Sequence, residues 1–585
     1  MKVFAHLALL AASAAAGPNF YAFNYDTRAN QWGGCKDWGA MDADFATLSK
    51  ITNIVRIYSM DPTCTKRVLD RAGARGMKVW LGMWSEVPTA AVSDHFDNDL
   101  NNLKSLLADK VINNDNVMGL QVSSEALYRY YVQGPGNVTG AADRRGIDTL
   151  TGHLSTARDV VRKAGLTFPV VITDIMDMYT MFPTLYELTD VVAENQFSMW
   201  QNISPEDGAH FTFMRYQEEE TRAKIAGKTI LLHETGWSTG GTNPVVTEAS
   251  PRAQGVFTDN FLTLASRQNI KTYYFSAFDL AFGDDIEKNF GVHDVNRNMK
   301  PAVAAIKNPA RLQAVRLKGQ GKVVKVNRHW NADNSVNNDY GRIYAEAASS
   351  GASGIFDDEI WLWDAANNLL YSKSADVCLD SFVDGNGIHN LHTWYCAPGN
   401  VNQQWNPSNN NLSNQKYCMD IDLERPKTND GKLVVQMWPC IGHPNQAVAM
   451  VRADQDPIEI GIHGAGALTE WYGQVTWETE RKWNGDCHQW FYDPVTQLIK
   501  SKSNAGMCLD AYERKNDGTV HLYYCDENNA NQKWIYNDIT GQIMHATHLG
   551  YCLDGYYTGP ASGPVHLWEC TKTTDNQKWG VKLLN

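Results

Sequence analysis

Two glutamates carry the clearest chemical signal in this 585-residue chain. Glu125 follows the apolar run Val117 to Val122 after two serines, and Glu234 follows directly on the run Thr229 to His233. A carboxyl group at the end of a buried strand is held in place, and two on different strands can face one cleft. Such a pair divides proton transfer and nucleophilic attack between its members when their surroundings push the two ionisations apart. Tyr25, Arg56, Tyr58, Ser124, Asn195, Trp200 and Trp237 stand at or just beyond the ends of apolar runs, as candidate donors and flat rings for a substrate. The 16 histidines are scattered without H-E-x-x-H or similar ligand spacing, so neither a metal nor a cofactor is expected.

The elements that would position these residues can be read from the same runs. Phe20 to Tyr25, Ile54 to Tyr58, Lys78 to Met83, Val117 to Val122, Val170 to Ile175, Val191 to Asn195, Thr229 to His233 and Thr272 to Phe278 are short, apolar and separated by helical patterns such as Asp94 to Lys110. Continuous rather than alternating apolar strands, each followed by a helix, imply a parallel sheet covered on both faces. Eight such units predict a (β/α)8 barrel over 17–310, whose chemistry gathers at the C-terminal ends of the strands.

Beyond residue 320 the pattern changes to a repeat. Trp363, Trp405, Val448, Trp490, Trp534 and Trp579 recur at intervals of 42 to 45 residues, which marks an array of small units. Gln403-Gln404-Trp405, Gln532-Lys533-Trp534 and Gln577-Lys578-Trp579 share a Gln-x-Trp signature, Gln489-Trp490 keeps it in weakened form, and Gln446-Ala447-Val448 has lost the Trp. Four units also carry a Cys-(Leu/Met)-Asp triplet and a second Cys, pairing Cys378 with Cys396, Cys418 with Cys440, Cys508 with Cys525 and Cys552 with Cys570 at spacings that suit one small disulfide loop each. Cys35 and Cys64 follow the first two strands and can meet on the barrel rim, which leaves Cys487 alone.

The bulk composition restricts the role. With 43% apolar and 20% charged residues the chain is globular, and its length asks for several cores. A formal charge of −13 without a basic run argues against nucleic acid and membrane surfaces as partners. Nineteen Trp and 25 Tyr supply flat faces of the kind that stack on sugar rings. Lys2, the run Val3 to Leu10 and Ala14-Ala15-Ala16 read as a signal peptide over 1–16, too short for a membrane span. Secretion to the extracellular space or cell wall follows as an expectation, with acceptor triplets at Asn137, Asn202 and Asn411.

Two family resemblances sharpen these expectations. The repeats resemble the ricin-type lectins, built as β-trefoils of three such units, which implies a linker plus first trefoil over 311–448 and a second over 449–585. That resemblance makes Trp405, Trp534 and Trp579 core residues and implies four sugar sites: Asp380, His392, Trp394 and Asn402; Asp420, Gln436, Trp438 and Asn445; Asp510, His521, Tyr523 and Asn531; Asp554, His566, Trp568 and Asn576. The barrel resembles glycoside hydrolase family 17 in Val55-Arg56-Ile57-Tyr58, Ser124-Glu125-Ala126-Leu127-Tyr128-Arg129, Glu234-Thr235-Gly236-Trp237, Tyr273-Tyr274-Phe275 and Lys300-Pro301. The resemblance implies action on β-1,3-glucan by double displacement, with Glu125 as acid/base and Glu234 as nucleophile, in a monomer that binds cell-wall polysaccharide. A glucanosyltransferase differs only in the acceptor, and a multivalent lectin with an inactive barrel is the alternative of another class. Three segments depart from the family: Ser124 replaces an Asn, Ser276 and Leu280 replace two carboxylates, and Asn195-Gln196-Phe197-Ser198-Met199-Trp200 replaces Asn-Ile-His-Pro-Phe-Trp.

Overall fold

The computed structural model describes residues 18–136, 143–326, 341–348, 357–408, 410–424, 432–480 and 483–584. The expected signal peptide and Asn137 lie outside them. Eight parallel strands close into a barrel: β1 (Ala22–Asn24), β2 (Ile54–Arg56), β3 (Lys78–Gly82), β4 (Val117–Ser124), β5 (Val170–Ile175), β6 (Val192–Asn195), β7 (Ile230–Thr235) and β8 (Thr272–Tyr274). Every residue of β4, β6, β7 and β8 is buried, as a sheet packed on both faces requires. Trp80 on β3 fills the lower barrel edge-on to His233 and Tyr273, and Gly119 on β4 leaves its ring the space a side chain would take. Helices α1 (Trp38–Leu48), α2 (Pro62–Gly73), α3 (Phe96–Ala108), α4 (Arg145–Lys163), α5 (Gly208–Ile225) and α6 (Pro251–Gln268) cover the outside. Asp37, Asp61 and Ser250 start α1, α2 and α6 by accepting from orphan backbone N–H groups, and prolines at the first position of α2 and α6 reinforce the start.

The rest of the chain is antiparallel β-structure in two twelve-stranded assemblies, one running from Gln313 to Arg452 and one from Ile458 to Leu583. Strands Lys322–Val326 and Ile343–Glu346 are built into the first sheet, so this stretch is an integral part of the repeat array and not a linker. Strand Val448–Arg452 crosses the expected boundary at 448, because all five of its residues pair with Gln313–Gly319.

Five of the six repeats close on a buried indole, and Val448 takes that place in the other. Trp405, Trp490, Trp534 and Trp579 donate through Nε1 to the backbone oxygens of Leu379, Leu468, Leu509 and Leu553 at 2.8 to 3.0 Å. In the first repeat the same bond, to Val324 O at 3.2 Å, comes from Trp361 and not from Trp363, which is only half-buried. The residue two before the indole holds the preceding turn. Gln403, Gln446, Gln532 and Gln577 donate from Nε2 to a backbone oxygen seven or eight residues earlier, and His488 takes that place before Trp490.

The β-trefoil region docks on the barrel. Leu549 joins Ala22, Ile54, Trp80, Val171, Ala193, Leu231 and Tyr273 in one apolar cluster at the N-terminal end of the barrel. Arg267 at the end of α6 forms a two-pronged pair with Asp376 at 2.9 and 2.6 Å, Asn537 Nδ2 donates to Lys224 O at 2.9 Å, and Thr167 Oγ1 donates to Arg514 O at 2.7 Å.

The structure contains the four disulfides expected from the repeat spacing and the Cys35–Cys64 bridge expected at the barrel rim, and Cys487 is a buried free thiol. Alkylation of the unfolded, unreduced protein is therefore expected to modify one cysteine per chain, and peptide mapping should find it at Cys487.

Candidate functional site

The barrel's C-terminal mouth is organised around a buried arginine. Arg56, the last residue of β2, is wholly enclosed. Its Nη1 donates to Glu234 Oε1 at 2.7 Å, Asn24 Oδ1 at 2.9 Å and His233 O at 3.0 Å, Nη2 donates to Ser124 Oγ at 3.1 Å, and Nε donates to Gln121 Oε1. The Tyr58 hydroxyl donates to the same Glu234 oxygen at 2.8 Å, with Ser124 Oγ 3.4 Å away. Burial raises the Tyr58 phenol well above its ordinary range, so it stays a donor. Three donors thus converge on Oε1. Glu234 Oε2 accepts from none of the described residues.

Glu125 sits differently. It lies just past β4 with φ 56°, a left-handed conformation that a non-glycine residue adopts at a cost of about 1 kcal/mol and that clusters at functional sites. The turn is fixed by Asp174, which accepts from the backbone N–H groups of Leu127 at 2.9 Å, Tyr128 at 3.3 Å and Ile175 at 3.0 Å. Asn195 Nδ2 donates to Glu125 Oε1 at 2.8 Å. Burial, with the charge of Glu234 adding to it, pushes the Glu125 carboxyl up to about 7, and burial beside Glu125 pushes Asp174 up to about 8. Burial holds His233 well below its usual range, so it is a neutral ring, with Nδ1 3.0 Å from Thr173 Oγ1.

The expected substrate-side residues divide on burial. Tyr58, Trp200 and Glu125 keep partial exposure at the mouth, and Asn195 and Ser124 lie just beneath it. Three expectations are corrected. Tyr25 is enclosed and spends its hydroxyl on Asp44 at 2.7 Å; Trp237 is enclosed against Phe257 with Nε1 on Glu248 O at 2.8 Å; Arg56 is enclosed and reaches the cleft through the groups it holds, Glu234, Tyr58 and Ser124. These side chains position the site without meeting solvent. The mouth also gains residues that the sequence reading missed. Trp84, the second residue past β3, lies open between Tyr58 and the Arg129 guanidinium, which is 4.8 Å from its ring. Arg129 is held by Glu86 at 2.9 Å and by Ser124 O at 2.7 Å. Position after an apolar run was the available signal for Trp84; nothing in the local sequence marks Asn24, Gln121 or Asp174. Of the departing positions, Ser276 bonds Phe278 O at 3.2 Å and the neighbouring Asp279 pairs with Lys300 at 2.8 Å.

The four lectin sets share one geometry. Asp380, Asp420, Asp510 and Asp554 are buried and face His392, Gln436, His521 and His566 across antiparallel strand pairs, at 3.2 to 3.4 Å. Two residues further along the second strand, Trp394, Trp438, Tyr523 and Trp568 are 57, 47, 54 and 40% exposed, so each set offers an open ring beside a buried acid. Asn402, Asn445, Asn531 and Asn576 lie in the short turn behind each acid, their backbone N–H groups tied by the side chain two residues before. In the third and fourth sets the amide on the acid is instead Asn529 at 3.0 Å and Gln577 at 3.2 Å. Among the described residues no group of three His, Cys, Asp or Glu could hold a metal ion, and no helix is long and apolar enough to cross a membrane.

Residues 22–293 match the family model of the BtgE/BtgC glycoside hydrolase domain, and residues 469–579 that of the ricin-type beta-trefoil lectin domain. The barrel is thus similar to BtgE/BtgC glycoside hydrolase domains. The chain is 26% identical over 286 residues to a putative glucan endo-1,3-beta-glucosidase btgC of Aspergillus niger, covering 44% of this chain and 39% of that protein. It is 26% identical over 282 residues to the glucan endo-1,3-beta-glucosidase btgC of Emericella nidulans, covering 44% and 41%. The match thus spans about two fifths of the length of these curated relatives. A crystal structure of a glycoside hydrolase family 17 beta-1,3-glucanosyltransferase from Rhizomucor miehei is 29% identical, with a TM-score of 0.42, covering 50% of this chain and 98% of that one.

The Glu125 carboxyl gives a stability prediction. Below about pH 4.3 it is protonated in folded and unfolded chains alike. As pH rises toward 7 the unfolded chain ionises first, so its stabilising contribution fades and then levels off. Glu125→Gln cannot ionise and should gain on the unaltered protein by about 3 kcal/mol between pH 4.3 and 7.5, read by denaturant unfolding at both pH values.

In the lectin repeats, Trp534→Ala should cost about 3–5 kcal/mol of stability because its indole fills a core. Trp438→Ala should weaken sugar binding and leave the melting temperature nearly unchanged, and calorimetry of both variants separates the two roles.

Proposed function

We propose that this chain is a secreted, retaining glycoside hydrolase acting on β-1,3-glucan, with lectin pockets in two β-trefoils, 311–452 and 453–585, that hold it on cell-wall polysaccharide. The observation that carries the reaction is the opposite treatment of its two carboxyls: Glu234 accepts a guanidinium and a phenol on one oxygen, while Glu125 is driven toward its protonated form. Asn195 stands beside Glu234 in the strand register and bonds Glu125, which supports the separation of about 5 Å that direct attack requires.

In the first step Glu234 Oε2 forms a bond to the anomeric carbon, the glycosidic C–O bond breaks, and its oxygen takes the Glu125 proton. In the second, a water oxygen attacks the anomeric carbon, Glu125 takes a water proton, and the ester bond to Glu234 breaks. Arg56, Tyr58 and Ser124 hold Oε1 throughout, and the open rings of Trp84 and Trp200 supply walls against which sugar faces can stack. The family relationship of the barrel and the substrate named for the btgC relatives support β-1,3-glucan as the chain that is cut.

The test is product analysis on soluble β-1,3-glucan over time. Shorter oligosaccharides with retained anomeric configuration at first release are expected, whereas products longer than the donor would assign a sugar hydroxyl, and not water, as the acceptor. Glu234→Gln should lower turnover by at least about a thousandfold, because the nucleophile is lost, while polysaccharide binding stays close to that of the unaltered protein. Residual activity of a few per cent would remove Glu234 from this role.

A further inference from the structure

The four lectin pockets are not equivalent with respect to the barrel. In a (β/α)8 barrel the helices run opposite to the strands, so the N-terminal end of α5 lies at the catalytic mouth and its C-terminal end at the opposite face. The trefoil region follows this helix along its length of about 27 Å. Lys224 near the C-terminal end meets Asn537, Gln217 at mid-helix meets Ser374, and His210 in the first turn meets Tyr395. Tyr395 directly follows Trp394, the exposed ring of the pocket formed with Asp380 and His392.

A line of rings joins that pocket to the barrel. Phe382 and His392 are stacked at 4.2 Å, His392 and Trp394 at 5.5 Å, Trp394 and Tyr395 meet edge-on at 6.2 Å, and Tyr395 meets His210 edge-on at 5.1 Å. From α5 the contact continues inward: Gly208, two residues before His210, lies so close to Ser198 and Trp237 that a side chain there would crowd both. Ser198 leads to Trp200 at the mouth, and Trp237 lies three residues past Glu234. The rings of the third pocket end at Tyr524 and those of the fourth at Trp568. The repeats that carry these two pockets touch the barrel at its other end, through Arg514 beside Asn114 and Lys572 beside Glu187.

We propose that the Asp380–His392–Trp394 pocket, with Tyr395, is a distal subsite of the catalytic cleft, so that one polysaccharide chain lies across the pocket, the start of α5 and the mouth. β-1,3-Glucan as the shared chain rests on the function proposed above. The subsite would select for long chains, since a short one cannot occupy both places, and would act as one intramolecular extension of the cleft and not as an independent anchor.

The experiment compares kcat/KM on a long soluble β-1,3-glucan with that on a β-1,3-linked trisaccharide, for the unaltered full chain, Trp394→Ala, Tyr395→Ser and Trp568→Ala, each first checked by melting temperature. Both changes at the near pocket should lower the long-to-short ratio, Trp394→Ala by about tenfold, the loss of one ring-stacking contact. Trp568→Ala should change that ratio by less than about twofold. Equal ratios in Trp394→Ala and Trp568→Ala, with the unaltered protein active, would overturn the shared track and leave the glucanase reading standing. Absence of turnover on either substrate by the unaltered protein would overturn both. Should Trp394→Ala fail to fold, Tyr395→Ser decides by the same ratio.

Discussion

The full positive charge of Arg56, enclosed at the centre of the barrel mouth, constrains everything around it. Arginine does not shed its proton, so burying it costs several kcal/mol unless its donors are met and its charge is balanced. The barrel meets both needs with groups from separate strands: Asn24 from β1, Gln121 and Ser124 from β4, His233 O and Glu234 from β7. Only closure of the sheet brings these strand ends round one point. Glu234 therefore supplies the balancing charge, and its orientation is set by the guanidinium. Glu125 accepts none of the Arg56 donors, so burial and the neighbouring anion dominate its ionisation. One buried cation thus gives the two glutamates different surroundings.

That difference needs Glu125 to be held apart from Arg56, and the backbone does it. A left-handed residue directly after β4 turns the chain off the strand axis, and Asp174 on the neighbouring strand secures the turn by accepting three backbone N–H groups. Asp174 is itself buried beside Glu125 and is pushed up to about 8, which limits the negative charge gathered at this side of the mouth near neutral pH. The strain at Glu125 persists because strand, turn and hydrogen bonds over-determine it.

Whether a residue was legible in the sequence depended on whether its role is fixed by its neighbours in the chain. Strand ends could be read from apolar runs, so both glutamates, Tyr58 and Asn195 were placed at the mouth. Cysteine spacing marked the four repeat disulfides, because each of those loops closes within one repeat. Roles set across the barrel were not legible. Tyr25 and Trp237 look like any ring at a strand end, yet Asp44 and Glu248 O claim their polar atoms and the fold encloses them. Asn24, Gln121 and Asp174 lack any local mark, since what defines them is a guanidinium or a turn on another strand. The repeats show the same limit: Trp363 fits the sequence interval, but pleating puts Trp361 on the core face, and His488 does the work of a glutamine because an imidazole N–H reaches the same backbone oxygen.

Lectin repeats read from sequence suggest tethered anchors, whose benefit is local concentration. The structure replaces the tether with a seat. Strand Gln313–Gly319 begins soon after the last barrel helix, Pro301–Ala304, and the repeats press Leu549 into the barrel floor while Asp376 grips the end of α6. Fixed docking removes the freedom by which a flexible linker lets every pocket serve the active site in turn. Each pocket instead has one standing direction relative to the mouth. Under the shared-track proposal, pockets on the floor side hold the enzyme against a polysaccharide surface, and a pocket beside the rim holds the chain that enters the cleft. The docking interface, more than any single sugar contact, thus decides which pocket can contribute to the chemistry.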